Sequence, residues 1–347
     1  MNRIYNLDYL RGVSAFGIMI YHYLSWTQGE YLSETFLGKF GIYGVSIFYI
    51  LSGLTLFYVY EKMDFSKNEI ISFFKKRIYR IFPLLWLVTF IGIILSRNLP
   101  DLYDLFLNLT GLFGFIKWDT YFSTGAWSIG NELVFYTFFP VFVFLSRSHK
   151  FLMIVLSCLI FCLYIYFAFF VLTNNYPLSE QWAHYVNPLN QIFLFLCGFL
   201  IGLLLKNFKL KNWLLIIALS VGILIFVFYP VSGDSINIVT GFNRIILTTC
   251  CLIICATIYK ITITAPNFIH KPLMVLGETS YSIYLLHPIV YSILGGIITL
   301  INTKIVSIEI PIYLKLILSI CVTLMLSYFV YQYYEKYFLK FGRRKRF

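Results

Sequence analysis

Long apolar runs separated by short polar or charged clusters make up most of this chain. A helix that crosses the roughly 30 Å hydrocarbon layer of a bilayer needs about 20 predominantly apolar residues. The pattern predicts ten such helices, at 7–27, 39–60, 78–96, 126–146, 151–173, 189–206, 213–230, 243–262, 281–302 and 312–336. A further apolar segment, 101–117, is interrupted by aspartates and glycines, so we expect it to be re-entrant or interfacial.

The composition supports an integral membrane protein. Of the 347 residues, 60% are hydrophobic and only 12% are charged, whereas a soluble domain carries about 25% charged residues. We therefore expect an all-α integral membrane protein in which residues 1–347 form one membrane-embedded domain, with no fused soluble domain. All seven cysteines lie in apolar runs, so neither a disulfide framework nor a metal site is predicted.

The distribution of basic residues predicts the orientation. The chain has 27 Lys and Arg against 15 Asp and Glu, a formal net charge of +12. Cytoplasmic loops carry an excess of Lys and Arg, and here the basic residues concentrate in every second connection and at both ends. Both termini are therefore predicted to be cytoplasmic. The expected partner of this charge is the lipid bilayer, and no nucleic acid is predicted.

Two ionisable residues are predicted to meet in the outer half of the membrane. Ionisable groups within spans are costly and mark functional sites by default. If the first span runs outward, His22 lies about 16 Å beyond Arg11, and Glu132 falls at a similar depth because its span runs inward. A histidine beside a carboxylate can act as a general base. We predict that His22 and Glu132 are catalytic residues. The alternative is that His22 only forms a hydrogen bond between two helices.

A cluster of basic residues is predicted at the cytoplasmic end of the same spans. Arg11 lies near the start of the first span, and Lys75, Lys76, Arg77 and Arg80 lie around the start of the third. Guanidinium groups bind phosphate oxygens bidentately. This layout fits an acyl-group donor that has phosphates on the cytoplasmic side and a long arm that reaches outward. Acyl-coenzyme A has that shape. Setting the topology, or binding anionic lipid, is the alternative role of these residues.

Five segments carry a family signature, in order along nearly the whole chain. They are LDYLRGVSAFGIMIYH (7–22), GVSIFYILSG (44–53), FFKKRIYRIFP (73–83), AWSIGNELVFYTFFP (126–140) and LGETSYSIYLLHP (276–288). Together they resemble acyltransferase family 3, the multispan bacterial enzymes that O-acetylate surface polysaccharides.

The resemblance implies transfer of an acetyl group from cytoplasmic acetyl-CoA to a hydroxyl of a surface glycan, such as an O-antigen or its lipid-linked precursor, by a multi-pass protein of the bacterial inner membrane. It implies that His22 and the arginines Arg11, Arg77 and Arg80 are required. It also implies substrate-binding or supporting roles for the signature residues Trp127, Ser128, Tyr136, Tyr281, Tyr284 and His287.

Several alternatives stay open at the level of the sequence. His22 either removes the proton of the acceptor hydroxyl, which we favour, or carries the acyl group transiently. The acyl group could be another one, such as succinyl, and the chain could act as a homo-oligomer or with a separate periplasmic partner.

A transporter or flippase for a lipid-linked glycan would also line a passage with buried charges, but the inverted repeats typical of transporters are not evident. A purely structural membrane subunit would not need His22 and Glu132 at one depth.

Overall fold

The computed structural model describes residues 3–304 and 311–343, and in these residues the chain is helical with no strand. The helices are α1 (Tyr5–Gln28), α2 (Phe36–Tyr60), α3 (Lys67–Ser96), α4 (Leu102–Thr110), α5 (Phe113–Ile116), α6 (Ala126–Ser148), α7 (Lys150–Tyr166), α8 (Trp182–Tyr185), α9 (Pro188–Leu205), α10 (Asn212–Phe228), α11 (Ile236–Val239), α12 (Gly241–Lys260), α13 (Asn267–Lys304), α14 (Ile312–Phe329) and α15 (Lys336–Arg343). Two π-helical segments, Phe167–Val171 and Val330–Glu335, continue α7 and join α14 to α15.

A helix stands at each of the ten predicted spans, and eight helices in the described part of the chain are long and apolar enough to cross a bilayer. The other two predicted spans correspond to α1 and α10. Helix α10 has only 17 residues, and polar residues such as Asp8, Arg11 and His22 reduce the hydropathy of α1. The all-helical membrane class is therefore confirmed, whereas the count of ten spans and the cytoplasmic termini stay predictions.

Two helices begin well before the predicted spans. Helix α13 starts at Asn267 instead of 281, and α3 starts at Lys67 instead of 78. Hydropathy detects only the apolar part of a helix, and in both cases the helix continues into a polar first section. Ser66 caps α3 by accepting a hydrogen bond from the Glu69 amide. The basic residues of this section thus lie on the helix itself and not in a loop before it.

The segment 101–117 forms two short helices and cannot cross a bilayer. Asp101 caps α4 by accepting hydrogen bonds from the amides of Tyr103 and Asp104 at 2.9 and 3.2 Å. The nine residues of α4 rise only about 14 Å before Gly111 ends the helix with a left-handed φ of 75°. The structure therefore agrees with the expectation of a segment that does not span the membrane.

Close contacts at glycines bring together the helices that carry the signature segments. Helix α1 packs between α2 and α13, and α13 also packs against α3 and α14. A Cβ atom on Gly12 would lie 2.5 Å from the amide nitrogen of Gly277, so only glycine allows α1 and α13 to approach this closely. This approach places the polar residues of α1 beside those of α13.

Candidate active site

Two neighbouring cavities lie among α1, α2, α3, α6 and α13. The first, which we call the vestibule, has a volume of about 670 Å³, and its charged lining residues are Arg3, Asp8, Arg11, Lys76, Arg77, Arg80, Glu278 and Glu335. The second, which we call the deep cavity, has a volume of about 230 Å³, and its lining includes Ser52, Thr55, Ser128, Glu132, Tyr136 and Tyr284. Arg11, Arg77 and Arg80 line both, so the two cavities meet at these arginines.

Helix α3 supplies the unpaired cations of the vestibule. Lys76 and Arg80 are four residues apart and Arg77 and Arg80 three, so all three project from neighbouring positions of one helix surface. None of the carboxylates in residues 3–304 and 311–343 forms an ion pair with them. The Lys76 ammonium lies 5.7 Å from the centre of the Tyr60 ring, and the buried Nε of Arg77 has no hydrogen-bond partner. This group can bind a polyanion without displacing an internal carboxylate.

Arg11 is held in a fixed position by neighbours on two helices. Its Nη1 donates to Asp8 at 3.1 Å, and its Nη2 donates to the hydroxyl of Thr55 on α2 at 3.0 Å. Asp8 also accepts from Arg3, at 2.7 Å, and Arg3 in turn donates to Glu278 on α13. The network fixes the Arg11 guanidinium at the junction of the two cavities.

Glu132 lies in the deep cavity and does not pair with His22. Its Oε2 accepts a hydrogen bond of 2.9 Å from the Tyr136 hydroxyl, which also lies 3.3 Å from Ser52 Oγ. The predicted contact between Glu132 and His22 is therefore wrong. Depth along a helix fixes the height of a side chain but not its direction around the helix axis, and Glu132 faces the cavity that Arg11 and Arg80 line.

His22 pairs instead with His287. The Nδ1 atom of His22 lies 2.8 Å from Nε2 of His287, and the rings are nearly parallel with centroids 5.0 Å apart. The Nδ1 atom of His287 lies 3.1 Å from the Ile283 carbonyl oxygen. The Tyr23 hydroxyl donates to the His287 carbonyl at 2.9 Å, which ties this part of α13 to α1.

The hydrogen-bond partners assign the proton positions of the neutral pair. A carbonyl oxygen only accepts, so Nδ1 of His287 must carry a proton. Nε2 of His287 is then an acceptor, so Nδ1 of His22 must donate to it. The lone pair of His22 therefore resides on Nε2, the atom left free to take a proton or to attack a carbonyl carbon.

The deep cavity ends about one helical turn short of the histidine pair. Tyr284, three residues before His287 on α13, closes this end together with Phe48, and the centroids of these two rings are 5.8 Å apart. The Tyr284 hydroxyl donates to the Gly125 carbonyl at 3.1 Å and lies 2.9 Å from Ser128 Oγ. His22 itself does not line the cavity.

The remaining predicted residues divide into two groups. Tyr281 lines both cavities and donates to the Ile81 carbonyl at 2.8 Å. Trp127, by contrast, is 6% exposed and packs against Trp182 and Tyr185, away from both cavities. It supports α6 from the core, and the structure does not bring it to the lining.

Sequence reasoning missed two kinds of lining residue. Thr55 and Ser52 lie in a strongly apolar run, where a single hydroxyl gives no signal of its own. Glu335 lies at the end of the last predicted span. It accepts a short hydrogen bond from Ser282 and lines the vestibule. A buried carboxylate in an apolar run was the signal that could have identified it.

Comparisons with known proteins agree with the signature segments. The family described as "Acyltransferase domain" (Acyl_transf_3) matches residues 4–332. The chain is 28% identical to the putative acetyltransferase ORF330 of Acidianus two-tailed virus, over 82% of this chain and 83% of that protein. It is 25% identical to O-acetyltransferase OatA of Staphylococcus aureus, over 95% of this chain and 56% of that protein.

A putative O-acetyltransferase of Staphylococcus aureus strain COL is also 25% identical, over 99% of this chain and 58% of that protein. The chain thus spans little more than half the length of these staphylococcal relatives. None of the solved structures matches it. Since the family match extends over nearly all of the sequence and the helices are those of a multi-pass membrane protein, the chain belongs to the acyltransferase 3 family and is a membrane acyltransferase.

Proposed function

We propose that this acyltransferase moves an acetyl group from cytoplasmic acetyl-CoA to a hydroxyl of a bacterial surface glycan, such as an O-antigen or another lipid-linked glycan, at the inner membrane. The proposal rests on one observation above all. A vestibule with three unpaired cations continues into a cavity that ends one helical turn from a histidine with a free Nε2.

The donor fits the vestibule and the deep cavity in one direction only. Lys76, Arg77 and Arg80 bind the phosphates of coenzyme A, because these cations form no ion pair with any carboxylate of residues 3–304 and 311–343. From Gly277, which lines the vestibule, to His287 on the same helix is a rise of about 15 Å. An extended pantetheine arm covers this distance, so the thioester reaches the histidine pair past Tyr284.

The histidine pair supplies the proton transfers of the reaction. Nε2 of His22 removes the proton of the acceptor hydroxyl as the oxygen attacks the thioester carbonyl. The carbon–sulfur bond breaks, the ester forms, and the proton on His22 passes to the coenzyme A thiolate. His287 accepts the hydrogen bond from Nδ1 of His22 and so stabilises the imidazolium that forms. Glu132 has a different role from the predicted one, since its carboxylate accepts the hydrogen bond that orients Tyr136.

Replacement of His22 by alanine should abolish transfer. A positioned general base contributes about 10²- to 10⁴-fold to the rate, so we expect His22→Ala to lose at least about 100-fold of the wild-type rate. The measurement is the transfer of label from acetyl-labelled CoA to bacterial glycan by purified protein. The matched control is His184→Ala, because His184 is an exposed histidine outside the site. Unchanged activity in His22→Ala, at normal protein yield, would contradict the proposal.

Two substitutions of His287 test the assigned proton positions. Gln at position 287 keeps a side-chain acceptor for the Nδ1 proton of His22, whereas Leu removes it. We expect His287→Leu to lose about 100-fold in kcat and His287→Gln to lose clearly less, with the KM for acetyl-CoA unchanged in both. The pH profile of kcat should also change in His287→Leu. Equal losses in the two variants, with an unaltered pH profile, would show that His287 acts by packing alone.

Replacement of Arg80 by alanine tests the donor site. Loss of one charge-assisted phosphate contact, worth about 1.5–3 kcal/mol, should raise the KM for acetyl-CoA at least about tenfold. The KM for the glycan should not change. Arg97→Ala is the matched control, because Arg97 caps the opposite end of the same helix. A rise confined to the KM for the glycan would be evidence against the vestibule as donor site.

A further inference from the structure

We infer that the outer ends of α1, α13 and α14 form a binding site for an anionic sugar, one that carries a carboxylate or a phosphate, and that this site presents the acceptor hydroxyl to His22. The inference rests on the proposed function and names the substrate class of the acceptor. It depends on four residues around the histidine pair that the reaction itself does not use, namely Trp26, Tyr291, Gly295 and Lys315.

Trp26 offers a flat surface directly beside the reactive histidine. Its ring stacks on His22 with centroids 5.1 Å apart and planes within 5°, and on His287 at 5.9 Å and 12°. The side chain is nevertheless 40% exposed. Part of the indole is thus covered by the imidazoles while another part remains accessible. The C–H face of a pyranose ring packs favourably on such a surface, because the aromatic face carries partial negative charge.

Tyr291 adds a hydrogen-bond acceptor next to this surface. Its ring centroid lies 5.1 Å from that of Trp26, and its hydroxyl lies 2.7 Å from Thr27 Oγ1. Thr27 uses its only hydroxyl proton on the Tyr23 carbonyl, at 2.6 Å. Tyr291 must therefore donate its own proton to Thr27, and a lone pair on the Tyr291 oxygen remains to accept a proton from a sugar hydroxyl.

Lys315 places a positive charge at the edge of the same surface. Its ammonium lies 4.2 Å from the centre of the Tyr291 ring. Within the described ranges it has no ion pair. Two other lysines have acceptors: Lys39 donates to backbone carbonyls, and Lys117 pairs with Asp104 at 2.7 Å. Among the residues that the structure describes, the charge of Lys315 is thus left for a ligand.

Two successive residues of α13 near this ammonium are glycines. A Cβ atom on Gly295 would already lie 3.5 Å from Nζ of Lys315, and Gly296 has no neighbouring atom within 4 Å. The two glycines lie about two helical turns beyond His287, and without side chains they do not hinder the approach of an anionic group to Lys315.

The geometry determines what the site selects. In the proposed site a sugar packs on the exposed part of Trp26, beside the histidine pair, so that one of its hydroxyls can reach Nε2 of His22 and a charged substituent on the same or the next sugar can reach Lys315. A neutral sugar has the stacking contact but not the charge-assisted one. The site therefore favours acidic glycans over neutral ones.

The test compares three acceptors that differ only in charge. They are an oligosaccharide with a uronic acid, its carboxyl-reduced neutral counterpart, and that neutral counterpart with a phosphate monoester. Transfer of label from acetyl-CoA is measured with purified wild-type protein and with four variants, namely Lys315→Gln, Lys315→Arg, Gly295→Val and Trp26→Leu. Lys117→Gln is the matched control. The KM for each acceptor and for acetyl-CoA is measured.

We expect wild type and Lys117→Gln to prefer a charged acceptor by about tenfold in KM. Lys315→Gln should remove this preference without a change in the KM for acetyl-CoA or in thermal stability, and Lys315→Arg should keep it. Gly295→Val should raise the KM for charged acceptors, and Trp26→Leu should raise the KM for all three. The better of the two charged acceptors identifies the anion as carboxylate or phosphate.

Two outcomes overturn the inference and are distinguishable. Transfer to charged and neutral acceptors with equal KM, unaffected by Lys315→Gln, would refute the anionic-sugar site and leave the proposed acetyl transfer intact. Absence of transfer to every acceptor by a wild-type protein that still binds acetyl-CoA would refute the proposed function, and this inference with it.

Discussion

A polar group inside the hydrocarbon layer must find its partner within the protein, and this constraint organises the structure. Lys39 is only 1% exposed, yet its ammonium donates to the carbonyls of Val227 and Tyr229 at the end of α10. The buried Arg244 stacks on the Tyr164 ring at 4.3 Å and donates to the Asn190 carbonyl. Asp8 and Arg11 satisfy one another. A charged side chain without such a partner inside the protein is a candidate to bind a charged ligand.

Two groups of cations that form no ion pair within the described residues lie on opposite sides of the histidine pair. Lys76, Arg77 and Arg80 have no carboxylate partner in the vestibule, and Lys315 has none in the described residues on the other side. The histidine pair lies between them, beyond the deep cavity. A phosphate-bearing donor and an anionic acceptor would thus approach the same Nε2 atom from two sides, which is the arrangement that a transfer across the membrane requires.

Much of this arrangement could be predicted from the sequence, because the few charged residues of an apolar chain are easy to recognise. The ten apolar runs and the basic first section of α3 follow from hydropathy and spacing. The partner of His22 could not be predicted in the same way. Spacing gives the height of Glu132 but not its direction around α6, and the structure turns it toward the arginines while His287 meets His22.

Other features depend on tertiary packing that leaves no local signal. The polar first section of α13 packs on α1, where Gly12 and Gly277 permit a close approach that hydropathy does not detect. Trp127 carries the family signature yet serves the core, and Trp26 carries none of the signature yet stacks on both histidines. A motif identifies residues that matter, whereas only the packing separates those that face a ligand from those that support it.

In the proposed reaction, donor and acceptor reach the histidine pair from opposite sides of the membrane. The most direct test is transfer in sealed liposomes that contain the protein, with the glycan acceptor enclosed and acetyl-labelled CoA added only outside. We expect label on the enclosed glycan for wild type and none for His22→Ala. Label that forms only when donor and acceptor share one compartment would contradict it.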